Sequence, residues 1–120
     1  SLGEVIAGKT ISLNKSTANT WYKIGSITLP KGQWLLISET QYANLSSAGY
    51  IALTIASSGS SPSQLNQPYN YFNSGMWVST KRTDYVSVAD GTKTFDVYTT
   101  CTVASQSATT HTNIYAVRLK

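Results

Sequence analysis

The chain has one cysteine, one histidine and one methionine in 120 residues, and only 12% of its residues carry charge. Each shortage excludes something. Cys101 has no partner for an internal disulfide, so the fold stands on its core or on association between copies. His111 leaves any histidine-based zinc site without a second imidazole, and one thiol adds little to it. Apolar runs are far shorter than a bilayer span, and the first residues lack the charged, apolar and small-residue zones of a secretion signal. No segment keeps a helical period, and neither a phosphate-binding glycine loop nor a nucleophile-elbow serine occurs. No cofactor, metal or membrane insertion is therefore expected.

Acid chemistry is equally thin. The carboxylates are Glu4, Glu39, Asp84, Asp90 and Asp96. A glycosidase needs two of them facing across a cleft, and the sequence offers Glu39 with Asp84 or Asp96. A single domain of this size has little material for a deep cleft, so a non-enzymatic protein is expected. The net charge of +4 suggests nucleic acid until the basic residues are located. They are scattered, with only Lys81 and Arg82 adjacent, whereas nucleic-acid binding needs a basic face interleaved with aromatics. A mild attraction to anionic cell-surface polymers fits as well.

What the chain does have is 41% hydrophobic residues and roughly a quarter Ser and Thr, a hydroxyl-rich composition common in extracellular and virion-surface β proteins. Short apolar runs broken by Gly, Pro, Asn and Ser about every ten residues predict an all-β fold, an antiparallel two-sheet sandwich of one domain over 1–120. Strands are expected near 4–7, 10–13, 21–29, 33–43, 50–57, 75–80, 84–89, 93–104 and 112–119. Two turn signals stand out. Pro30-Lys31-Gly32 predicts a hairpin between Ile24–Leu29 and Gln33–Ser38, and Asp90-Gly91 predicts another between Val86–Ala89 and Thr92–Val97. The leading Ser-Leu-Gly reads as a remnant or as the start of a domain cut from a longer protein.

Two strands are apolar on both faces. Trp34-Leu35-Leu36-Ile37 is one, and Ile114-Tyr115-Ala116-Val117-Arg118-Leu119 is the other. A one-core sandwich needs a single apolar face per strand, so the second face requires a cover, expected to be another copy of the chain. The two strands are placed side by side in one sheet, with Trp34, Leu36, Ile114, Tyr115 and Val117 as the subunit-interface candidates. Ile51, Leu53 and Ile55 alternate with small residues and predict a strand with one buried face. Cys101 shares strand parity with Phe95, Val97 and Val103 and is expected as a buried thiol. His111 sits in the turn of Ser105–Thr110 and reads as a solvated loop residue, with a sugar or subunit contact left open.

The long segment 57–75 begins low-complexity and polar, then sets Tyr69, Tyr71 and Phe72 among asparagines. Rings there either pack back as a satellite core or between subunits, or they offer flat faces to sugar C–H groups. On the binding reading, Tyr69, Tyr71 and Trp77 stack, while Asn70, Asn73, Arg82 and Asp84 meet hydroxyls or an anionic substituent.

The order of elements is familiar. Ile27-Thr28-Leu29-Pro30-Lys31-Gly32-Gln33-Trp34-Leu35-Leu36-Ile37-Ser38 is similar to the opening strand, turn and strand of phage tail-fibre and receptor-binding head domains. The strand from Thr94 to Val103 and the closing Ile114–Leu119 segment resemble the end of those domains and of the wider C1q and tumour-necrosis-factor-like jelly rolls. The resemblance spans about residues 20–120 and implies a jelly roll that forms a homotrimer around a three-fold axis and binds a host-surface glycan or protein. It implies a virion tail tip or another extracellular surface as the location. No binding motif is shared across that family, so the site residues above come from the chain alone. The readings to separate are a receptor-binding head, a structural trimerisation module and a carbohydrate-binding module.

Overall fold

The computed structural model describes residues 1–62, 68–73, 77–105 and 110–120. The middle of the long loop (63–67), the expected strand start at 75–76 and most of the turn before His111 (106–109) lie outside the described residues. Every regular element described is a strand: β1 (Val5–Ala7), β2 (Lys9–Thr10), β3 (Tyr22–Ala43), β4 (Gly49–Ser57), β5 (Asn70–Phe72), β6 (Trp77–Cys101) and β7 (Thr110–Arg118). All strand pairs are antiparallel, in the order β1-β7-β3-β6-β4-β5 with β2 beside β3.

The two predicted hairpins do not form. β3 and β6 instead pair along their whole lengths, from Tyr22 opposite Thr99 to Ala43 opposite Trp77. Leu29 faces Lys93 rather than Gln33, and Val88 faces Gly32. The two turn signals lie opposite each other, because the ladder passes from Pro30–Thr92 to Gly32–Val88 and leaves Lys31 against Ala89, Asp90 and Gly91. There the ribbon bends as a unit. Bending a paired ribbon demands the same local chemistry as reversing one chain, namely a residue without a ladder N–H and residues tolerant of positive φ. Gly32 and Gly91 supply φ of 149° and 60°. A Cβ on Gly32 would also run into the Arg118 guanidinium.

The bend divides one continuous ladder into two layers of an antiparallel jelly-roll sandwich. The front layer is β1, β7, residues 32–43 of β3 and residues 77–88 of β6. The back layer is β2, residues 22–30 of β3, residues 92–101 of β6, β4 and β5. Their inner faces form one core, to which the front gives Trp34, Leu36, Val86, Val88, Ile114 and Ala116 and the back gives Ile24, Ile27, Leu29, Leu53, Phe95 and Val97. Complete burial of one such aliphatic side chain contributes about 1.5–3 kcal/mol. Past the far end of this core, Tyr42, Leu45, Ile51, Phe72 and Cys101 form a second cluster. Inside it the Tyr42 hydroxyl donates to Thr99 Oγ1 at 3.1 Å, which donates to the Ala52 carbonyl at 3.0 Å.

The two strands apolar on both faces are indeed neighbours, with Leu35 opposite Val117 and Ile37 opposite Tyr115. Strand alternation corrects the interface set. Trp34, Leu36 and Ile114 are 0–2% exposed in the core, so no second copy reaches them without unfolding the first. Tyr115 and Val117 point outward with Leu35 and Ile37, next to Val5 at 61% exposure and Tyr85 at 81%. Along one long edge the chain crosses from β1 in front to β2 behind. Gly8 N donates to Ile114 O at 2.7 Å, and Gly25 lies so close to Lys9 O that a Cβ there would collide with it.

Arg118 fastens the bend. Its guanidinium lies 4.3 Å from the Trp34 ring centroid, donates from Nε to Glu4 at 2.9 Å and from Nη1 to Lys31 O at 2.9 Å. Trp34 Nε1 donates in turn to Pro30 O at 3.0 Å. Arg118→Ala should therefore lower stability in urea denaturation by about 1–3 kcal/mol, whereas the exposed Lys9→Ala should change it by about 0.5 kcal/mol or less. Cys101 is buried as expected, at 1% exposure, but among Tyr42, Leu45, Ile51 and Phe72, with Val103 against that cluster and with Phe95 and Val97 in the other one. Burial pushes its thiol above the ordinary value. Its labelling by a thiol reagent should follow global unfolding, and rapid labelling of the native protein would contradict this packing.

Candidate functional site

Opposite the closed edge, the sandwich ends in the 77–88 half of β6 in front and in β4 and β5 behind. Those elements carry the binding candidates read from the sequence, so one edge of the fold gathers them. Period-two alternation then turns them in three directions.

The first group faces outward from the back layer. Tyr71 stands directly across from Tyr50, with ring centroids 5.3 Å apart at 64°, an edge-to-face pair. Tyr50, Tyr71 and Tyr69 are 47%, 60% and 39% exposed, with the exposed Asn73 at the end of the strand; Asn70, opposite Ile51, is exposed but alternates with Tyr71 to the other face of β5. Phe72 points the other way into the second core cluster and anchors this three-residue edge strand. Tyr50 was not among the predicted residues. Its signal lay in the Ile51, Leu53, Ile55 alternation, which turns the residue before Ile51 outward.

The second group faces inward. Arg82 lies opposite Ser38 and Asp84 opposite Leu36, both buried. Arg82 Nε donates to the two Asp84 oxygens at 3.0 and 2.9 Å, and Nη1 donates to Leu53 O at 3.0 Å. β5 covers only Gly49–Ile51 of β4; just beyond it, this pair joins the front layer to the back and closes the gap between them. Lys81, next in sequence, faces the opposite side and is exposed, so the two adjacent cations form no shared patch.

The third direction is the outer face of the front layer, where Trp77 is 57% exposed. Two residues along on that face, a hollow of about 380 Å³ is lined by Glu39, Thr40, Gln41, Ser79 and His111. His111 belongs to a strand rather than to the expected turn. The ladder pairs Glu39 with Asn113 and Gln41 with Thr110, so Thr112 and His111 oppose Thr40 alone in a β-bulge. His111 takes a left-handed φ of 57°, and its Nδ1 lies 2.9 Å from Gln41 Oε1. Asn113 Nδ2 donates to Glu39 Oε1 at 3.4 Å.

The carboxylates offered for acid–base work do not face one another. Glu39 is on the outer front face, Asp84 is turned inward against Arg82, and Asp96 is 3% exposed on the back layer. Asp96 pairs with Lys23 at 3.3 Å and accepts from Gly59 N at 3.4 Å, which pins the end of β4. Among the described residues, no three His, Cys, Asp or Glu side chains gather into a metal-binding group.

No protein-family model and no curated protein matches the chain. Among solved structures it is similar to the CBM22-1 xylan-binding domain of Xyn10C from Paenibacillus barcinonensis, at 12% identity and a TM-score of 0.44, over 99% of this chain and 98% of that one.

The Arg82–Asp84 pair generates a test of its own. Arg82→Ala strips a part-buried, inward carboxylate of its partner and should cost about 1–3 kcal/mol. Removing both charges in Arg82→Ala, Asp84→Ala should cost less than Arg82→Ala alone. Equal losses in a denaturation cycle would show that Asp84 does not depend on Arg82.

Proposed function

We propose that this domain is a non-enzymatic saccharide-binding module whose ligand rests on the Tyr50–Tyr71 pair. The observation that carries the reading is the pair itself: two half-exposed rings fixed by cross-strand registry on the outer face of β4 and the edge strand β5, with Tyr69 and Asn73 beside them. Leaving such large rings in water forgoes the burial that the core gives Trp34, Tyr42, Phe72 and Phe95. A sugar ring offers C–H groups to the aromatic faces and hydroxyls to the amide. The platform is preorganised by the backbone ladder, so little side-chain entropy is lost on binding. Arg82 and Asp84 are engaged between the layers and have a structural role in this reading, and Trp77 belongs to the opposite face.

A second reading, the receptor-binding head of a phage tail fibre or baseplate acting as a homotrimer at a virion surface, is favoured by the outer face of the front layer. Leu35, Ile37, Tyr115 and Val117 are contiguous there with the strongly exposed Val5 and Tyr85. Covering that face with copies of the chain would set several tyrosine platforms on one particle and raise weak single-site binding by avidity. Host-surface glycan would then be the ligand of the same platform.

On a glycan array, Tyr71→Ala and Tyr50→Ala should each weaken retention of the bound glycan by about tenfold, equivalent to about 1.4 kcal/mol, with unchanged melting temperature. A wild-type chain that retains no glycan, or two variants that bind as well as wild type, would overturn the assignment. Assembly is read separately by light scattering. A trimer that Ile37→Asp or Val117→Asp dissociates supports the head reading, and a wild-type monomer at micromolar concentration removes it.

A further inference from the structure

The hollow on the front layer is not part of the tyrosine platform, since it opens from the opposite outer face. We infer that it is a second, independent binding site, specific for a neutral pyranose. Its polar groups come from three adjacent strands: Glu39 and Gln41 from β3, Ser79 from β6 and His111 from β7. The register of β7 against β3 already carries residue 111 towards Gln41, because Glu39 pairs with Asn113 two residues away; the bulge moves the backbone pairing of Gln41 to Thr110, and His111, at a left-handed φ of 57°, keeps its Nδ1 2.9 Å from Gln41 Oε1. A histidine held in that sparsely populated conformation inside a strand is the sort of local strain that collects at ligand sites.

The charge pattern selects the ligand. Glu39 and Lys81 face each other across the ladder, so their opposite charges cancel and the hollow has no net charge that would concentrate an anion or a cation. One carboxylate with an amide, a hydroxyl and an imidazole supplies both acceptors and donors, as a set of sugar hydroxyls requires. The carboxylate can accept from two vicinal hydroxyls, and charge-assisted bonds of this kind are about twice as strong as neutral ones. Trp77, opposite Ala43 and one rung beyond the Gln41–Ser79 pair, adds a 57% exposed indole for the apolar face of the ring. About 380 Å³ of space is enough for one monosaccharide unit.

The test is NMR titration of the full chain, following the His111 imidazole C–H and Trp77 indole N–H signals. The probes are methyl α-D-glucopyranoside, methyl β-D-galactopyranoside and N-acetyl-D-glucosamine, with N-acetylneuraminate and inorganic phosphate as anionic arms. Concentrations should reach about 50 mM, because a single-sugar site of this size is expected to bind with roughly millimolar Kd. At least one neutral sugar should give saturable shifts at both signals. Glu39→Gln should weaken it by about tenfold, as should Trp77→Ala followed at His111, while Tyr71→Ala leaves it unchanged. The site is disproved if no neutral sugar gives saturable shifts, if only the anions do, or if either Glu39→Gln or Trp77→Ala binds as wild type. Failure here leaves the tyrosine platform standing, and loss of array binding in Tyr71→Ala reports on that platform alone.

Discussion

One ladder, β3 against β6, runs through both layers, and the molecule depends on its bend. Because each long strand serves the front layer on one side of Pro30–Gly32 and the back layer on the other, the two inner faces are brought together by backbone continuity. β7 and β4 then extend the ladder at opposite ends of the order, β7 beside β3 in front and β4 beside β6 behind. Arg118 holds the bend by bonding to Glu4, the residue before β1, to Lys31 at the corner and to the face of Trp34. A cation laid on a buried indole and satisfied by two further acceptors is a fixed object, and the corner is built around it.

That construction leaves the long edges unequal. On one, the β1-to-β2 crossover closes the sandwich with backbone bonds. On the other, β5 pairs with only three residues of β4, and the remaining gap is joined by the Arg82–Asp84 pair and Leu53 O. The open edge is where side chains are committed to something other than the core, and the aromatic platform stands at its end. An edge strand is ordinarily a hazard for unwanted pairing. Here it is very short, three residues in β5, and it carries outward polar and aromatic groups instead of a long flat run.

Much of this was legible in the sequence. The strand content, the neighbouring of the Trp34–Ile37 and Ile114–Leu119 segments and the burial of Cys101 follow from period-two patterns, which record which side a residue faces. The hairpins failed because Pro-Lys-Gly and Asp-Gly record a change of direction and not the identity of the partner strand. Trp34, Leu36 and Ile114 were assigned to the wrong side because a strand apolar on both faces gives no indication of which face is inside. Arg82 and Asp84 looked like exposed ligand groups, yet the alternation of β6 points them inward with Val86 and Val88. Tyr50 and the His111 bulge depend on registers across strands distant in sequence, and no local pattern specifies those.

In the proposed reading, ordered tyrosine rings on this edge contact a sugar. Saturation-transfer difference NMR with the glycans retained by the wild-type chain tests it most directly, irradiating ring protons in protein labelled so that only tyrosine is protonated. Transfer to the C–H protons of one face of the sugar ring is expected, with loss of that transfer when Tyr50 and Tyr71 are both replaced by Ala. Strong binding with no transfer from tyrosine, or transfer that survives the double replacement, would contradict it.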